Sequence, residues 1–140
     1  MDIQERIKRL EAGAFWQLLG MKVVSASVGE AIVNLCVKPD LLQLYGVVHG
    51  GVLATLIDGA IGAAAQTTLN EHEATTTVDL QVMYSRAVEK GTLTAKATIV
   101  RRGKTIIFGD CKAYDDAERL IVHGSATYMV LEHARWSRKG

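Results

Sequence analysis

The sequence is short of the residues that staple, ligate or steer. Its two cysteines, Cys36 and Cys111, lie far apart in strand-like segments with no C-x-x-C between them. They read as two buried, reduced thiols of a cytosolic protein. Its four histidines, His49, His72, His123 and His133, show no ligand spacing, and H-E-x-x-H, Walker and dinucleotide glycine patterns are all missing, so no metal and no cofactor are expected. No G-x-S-x-G elbow is present, since "HGSAT" lacks the leading glycine. Neither sign of charge dominates: 16 Lys+Arg against 15 Asp+Glu leave a formal charge of +1, too little for a field that steers nucleic acid or an anionic membrane. A charged ligand must be met locally.

One long apolar run exists, "YGVVHGGVLATLIDGAIGAAAQTTL" over 45–69, but Gly, Thr, Gln, His and a central Asp58 interrupt it. An acid at a helix centre costs about 2.5 to 3.5 kcal/mol on insertion scales, so a membrane helix is not expected. The start, "MDIQERIKRL", is charged and amphipathic without an apolar h-region; no secretory signal is expected, and the expected location is the cytoplasm.

What is there fits one domain over 1–140, long enough to bury roughly 70% of its unfolded surface. Ile3, Ile7, Leu10 and Ala14 recur at helical spacing with Gly20 as a stop, which predicts one amphipathic helix over 1–19. "MKVVSAS" and "EAIVNLCV" flank Val28 and Gly29 as a hairpin, and Pro39 and Asp40 break the second strand. After the apolar run come four strand-like segments, "ATTTVDLQVMY", "TLTAKATIVRR", "TIIFGDCKAY" and "LIVHGSATYMV". Leu93, Ala95, Ala97 and Ile99 alternate with Thr92, Thr94, Lys96 and Thr98, the period of a sheet with one wet face. The layout is α+β: a mainly antiparallel sheet curved around a long helix that is apolar on nearly all sides. The basic end, within 131–140, reads as an exposed tail.

Asp58 is the anomaly of that helix. A carboxylate among apolar side chains must be paired, strongly hydrogen-bonded or shifted in pKa, and such acids gather at functional sites; a structural bond to a strand amide or to Arg86 is the plain alternative. Gly50 and Gly51 open the helix and leave its first N–H groups unshielded, where the dipole favours negative charge. Gly59 and Gly62 each cost about 1 kcal/mol relative to Ala, so something approaches closely there. Thr55, Gln66 and Thr67 read as incidental. Gly50 and Asp58 are eight residues apart, hence about 12 Å along the axis and about 80° around it. They cannot hold one carbonyl between them, so a shared site needs two chains related by a two-fold axis.

The combination of Q-x-x-G-x-x-H-G-G (Gln43 to Gly51), an acid nine positions after the histidine, "TTTVDLQVMYSRA" and "RRGKTIIF" resembles the hotdog-fold acyl-CoA thioesterases of the phenylacetic-acid-degradation (PaaI-like) type over about 20–130. The resemblance implies a six-stranded sheet around a central helix, and a homodimer, further paired into a dimer of dimers, whose interface binds the pantetheine arm of an acyl-CoA. It implies that the Gly50 amide polarises the thioester carbonyl and that Asp58 of the other chain is general base or nucleophile. Gln43 falls at the family's amide position, often Asn in this type. Thr77 falls at a hydroxyl that places water or Asp58. His49 anchors the helix start or assists chemistry. Arg86 stands where the family often has proline and either meets a phosphate or sits in solvent. Gly62 lacks the hydroxyl of the related aryl-specific enzymes. The turn that holds Arg101, Arg102, Gly103 and Lys104 is either a phosphate-binding corner for coenzyme A or a solvated hairpin. Two other functions stay open: a non-catalytic acyl-CoA sensor or carrier, and a hotdog hydratase or dehydratase.

Overall fold

Asp2 opens the fold: its side-chain oxygen accepts the Glu5 N–H at 2.8 Å and caps α1 (Ile3–Glu11). The computed structural model describes residues 2–132. The helix expected over 1–19 is two, because the chain leaves helical geometry at Gly13 (ψ 141°) before α2 (Ala14–Leu19) begins. Beyond the turn at Gly13, Trp16 and Leu19 of α2 are buried, as is Ile7 of α1. Gly20, with φ 73°, ends α2 as a left-handed cap.

Strands β1 (Lys22–Ser27) and β2 (Glu30–Cys36) form the expected hairpin. Its turn is fastened from afar: the Gly29 N–H donates to Thr67 Oγ1 at 2.8 Å. Thr67 is therefore a buried fastening rather than incidental. A short 3-10 turn (Pro39–Leu41) comes next, then α3 (Gly50–Gln66), β3 (Glu73–Tyr84), β4 (Thr92–Arg102), β5 (Ile106–Tyr114) and β6 (Leu120–Glu132). Leu131 and Glu132 thus continue β6 instead of starting a tail, and 133–140 lie outside the described residues.

All pairings are antiparallel, in the order β1-β2-β4-β5-β6-β3. The inward side of the β4 alternation is as expected, with Leu93 and Ala95 fully buried. The sheet curls around α3, which packs against all six strands and buries Leu56, Ile57, Ala60 and Ile61 completely. Close wrapping needs missing side chains: a Cβ on Gly109 would stand 2.5 Å from Ile61, and one on Gly124 would strike the Gln81 carbonyl. This is the hotdog fold.

The cysteines diverge. Cys111 points into the core, where burial pushes its thiol up to about 12. Cys36, expected to be buried, is exposed, because Ala31, Val33 and Leu35 occupy the inward positions of β2 and the alternation turns residue 36 outward. No helix among the described residues is long and apolar enough to cross a membrane.

Candidate active site

The start of α3 is built by its own loop. Gly46 takes φ 80° so that the chain reverses between Gln43 and Val47, whose backbones bond at 2.8 Å. The Gln43 side-chain oxygen accepts the Tyr45 N–H; its amide nitrogen is left as a donor. His49 is the N-cap: Nδ1 accepts the Gly51 N–H at 2.8 Å, so that nitrogen carries no proton and the ring anchors the helix end through it. A Cβ on Gly51 would come within 3.0 Å of Nδ1, which is why the cap needs glycine there. The Gly50 N–H, by contrast, has no acceptor among the described residues and projects from the positive end of the dipole. Sequence reasoning passed over Tyr84, whose hydroxyl donates to the Gly50 carbonyl at 2.7 Å and ties the helix start to the end of β3.

Two turns further on, Asp58 is held by two hydroxyls. Thr77 Oγ1 donates to Oδ1 at 3.1 Å, and the Tyr128 hydroxyl lies 2.6 Å from the same Oδ1 and 2.7 Å from the Asp58 carbonyl. A phenol has one proton, and the charged oxygen is the stronger acceptor at a distance typical of O–H···O⁻. Burial, then the charge of Asp58 and its hydrogen bond, push the Tyr128 phenol pKa upward, so it stays a donor. Neither Oδ2 nor any cation finds a partner in this cluster among the described residues. The bond to Arg86 weighed for Asp58 is not formed.

A β-bulge does the aiming. Thr77 pairs with Tyr128 and Asp79 with Thr127, so Val78 is the extra residue of β3, and the bulge re-aims Thr77 at the helix. Tyr128 was overlooked because an aromatic in a strand reads as core; the signal for its role is its inward position on β6 opposite Thr77.

Asp58, Thr77, Tyr128 and Gly62 line a cleft of about 230 Å³ whose outer wall is Leu10 and Trp16 of the N-terminal helices. Close approach explains Gly59, whereas at Gly62 a Cβ would make an ordinary contact, and that glycine instead leaves the cleft open. A Cβ on Gly59 would press on Met21 at 3.2 Å and Trp16 at 3.3 Å, and one on Gly62 would lie 3.5 Å from the Tyr128 hydroxyl.

The cationic candidates are dispersed. Arg86 is exposed just beyond β3, at the Gly50 end of α3. Arg102 is committed within the chain: its guanidinium pairs with Glu73 and donates to the carbonyls of Thr68, Gly103 and Lys104. Glu73, despite the opposing cost of burial, is held below the usual carboxylate range by the Asn70 N–H and by Arg102. Gly103 closes the β4–β5 turn through its N–H to the Ile106 carbonyl, where a Cβ would be 2.8 Å from that oxygen. Arg101 and Lys104 are exposed. Within one chain the structure does not bring Arg86 and this turn together, nor the Gly50 amide and Asp58.

The architecture is a hotdog sheet whose central helix carries an unshielded N–H at its start and a hydroxyl-anchored carboxylate two turns on. The family model described as the thioesterase superfamily matches residues 45–122, and the chain belongs to that superfamily; it is a thioester hydrolase. It is similar to a 1,4-dihydroxy-2-naphthoyl-CoA hydrolase of Listeria monocytogenes, at 26% identity over 81% of this chain and 93% of that one. It is also similar to acyl-coenzyme A thioesterase 13 of Pongo abelii, at 29% identity over 90% of this chain and 92% of the relative. Among solved structures, a thioesterase family protein from Silicibacter pomeroyi superposes with a TM-score of 0.86 at 25% identity, covering 93% of this chain and 98% of that one.

Proposed function

We propose that the chain hydrolyses acyl-CoA thioesters in the cytoplasm, at two equivalent sites of a homodimer, with each site drawing its oxyanion donor from one protomer and its carboxylate from the other. The observation that carries this reading is Asp58: a carboxylate gripped at one oxygen by two hydroxyls, with the other oxygen unpartnered beside a cleft. Two hydroxyls on one oxygen fix the carboxylate's orientation, and acids held in this way beside a cleft gather at functional sites.

The two-chain arrangement is supported by helix geometry, which separates Gly50 from Asp58 by about 12 Å on one helix. It is also supported by β3. That strand is an unpaired sheet edge of 12 residues and exposes Val78, Met83 and Tyr84. Such an edge is a template for a second strand. Pairing β3 with β3 about a two-fold axis would set the helix start of one protomer toward Asp58 of the partner subunit. Exposed Val100, Phe108 and Met129 on the outer sheet face would then let dimers pair.

In the proposed step the thioester oxygen accepts from the Gly50 N–H, with the Gln43 amide nitrogen as a second donor. Oδ2 of the opposing Asp58 takes a proton from water, and the hydroxide oxygen bonds to the carbonyl carbon. The oxyanion is stabilised by the helix-start donors, worth on the order of 10² to 10³ in rate. Collapse breaks the C–S bond; the proton held by Asp58 goes to the leaving thiolate, and acid and coenzyme A depart. His49 acts as the cap. Arg86 and Lys104 meet coenzyme A phosphates, and Arg102 and Gly103 shape the turn that presents Lys104.

The test is release of thiol from a panel of short, medium, long and aryl acyl-CoAs by wild type and Asp58→Asn. Turnover of some of the panel with a loss of 10² or more in the variant is expected, the scale of a positioned base. Saturable binding without thiol release would make the protein a sensor.

A further inference from the structure

The cleft beside Asp58 runs along a single ridge of α3. Asp58, Gly62 and Gln66 are spaced i, i+4, i+8 and so follow one row of the helix that climbs about 12 Å while turning about 80° around it. All three border the cleft, as does Thr75 of β3. Gly62 leaves the middle of the ridge open, so an acyl group whose carbonyl sits at Asp58 extends toward Gln66.

The far end of that path has a fixed polarity. Arg6 of α1 is buried, at 7% exposure; one of its terminal nitrogens donates to Gln66 Oε1 at 3.2 Å and the other to the Asn70 carbonyl. A guanidinium only donates, so the Gln66 atom that faces Arg6 must be the oxygen. The amide therefore turns its nitrogen, with two N–H groups, away from Arg6, and Arg6 does not border the cleft. The amide nitrogen has no partner among the described residues. Gln66 borders the cleft, so a ligand chain that ends there meets an amide whose free hydrogen-bonding groups are donors.

Resting on the thioesterase reading of the same site, we propose that the acyl groups this enzyme selects carry an oxygen acceptor, a hydroxyl or oxo group, at their far end, and that Gln66, oriented by Arg6, recognises it. Leu10 and Trp16 cover the apolar middle of the chain. Gln66 is thus a specificity-determining residue, not the incidental one its place in the sequence suggests.

The experiment compares matched substrates: unsubstituted acyl-CoAs and their ω-hydroxy and ω-oxo counterparts of equal length, across several lengths, assayed for released thiol. At the length that reaches Gln66, wild type should favour the hydroxylated partner by roughly two- to ten-fold in kcat/KM, the worth of one hydrogen bond. Gln66→Met removes both the oxygen and the donor and should bring the ratio to one or below; Gln66→Glu keeps an oxygen for Arg6 but cannot donate, and should do the same for ω-oxo partners, which only accept. Equal kcat/KM for both partners at every length in wild type, or a preference that survives in both variants, would overturn the inference while leaving the hydrolase standing. If no acyl-CoA of either kind released thiol, the thioesterase reading and this inference would fall together.

Discussion

Thr77 and Tyr128 face each other across β3 and β6 and deliver their hydroxyls to the same oxygen of Asp58. Two donors on Oδ1 fix the carboxylate's rotation and leave Oδ2 as the basic edge. Charge-assisted bonds of this kind are worth about 1.5 to 3 kcal/mol each. Tyr128→Phe should therefore lower kcat by roughly ten- to a hundred-fold with KM changed less than about two-fold, and Thr77→Ala by somewhat less, given its longer bond. Because Tyr128 acts through Asp58, Tyr128→Phe should cost little further activity in an Asp58→Asn background. Equal losses in both backgrounds would assign Tyr128 to packing alone.

The helix start separates capping from catalysis. His49→Ala removes the acceptor for the Gly51 N–H and should destabilise the fold by about 1 kcal/mol, read as a lowered urea midpoint at constant slope. His49→Asn supplies another capping oxygen and should recover most of that loss. If activity tracks stability through both variants, the imidazole is a cap; activity lost in the Asn variant at full stability would give it a chemical role.

How far these features could be read in advance depended on the range of the interaction. Strand segments and the wrapped helix were legible, because alternation such as Leu93, Ala95, Ala97 is a local property and a helix apolar on all sides has to be enclosed. Asp58 was legible as an anomaly, and Thr77 through the resemblance. Tyr128 was not: its hydroxyl meets Asp58 only because β6 and β3 pair across the far edge of the sheet. Gln66 was set aside for the same reason, its partner Arg6 lying 60 residues earlier. The helix break at Gly13 escaped because the apolar spacing continues through it, while the core demands that Trp16 turn inward.

The thiols give a test of the fold that needs no substrate. Cys36 is exposed and Cys111 buried, so iodoacetamide should label one thiol in the native protein and both in denaturant. Cys111 sits at about 12 when folded against an ordinary value near 9. Above pH 9 the unfolded chain loses this proton while the folded one keeps it, so fewer protons are bound in the unfolded state and stability falls. The contribution is fully present below pH 9 and drains away up to about 12. Urea titrations across that window should show a shallower decline in Cys111→Ala than in wild type; identical slopes would mean the thiol is not buried as described.

Division of the site between two chains makes the sharpest claim, and it can be tested by mixing two dead proteins. Asp58→Asn lacks the base. Gly50→Val crowds the oxyanion donor, while the nearest neighbour of the new Cβ in its own chain is the Tyr84 ring at 3.4 Å, an ordinary contact, so the fold should tolerate the change. In a heterodimer of the two, one site collects both lesions and the other collects neither. Co-expressed variants separated by distinct tags should recover up to about half the wild-type turnover per heterodimer, set by that one intact site. Were donor and base to come from the same chain, every site would keep one lesion and no activity would return, even though each homodimer were folded and thermally stable.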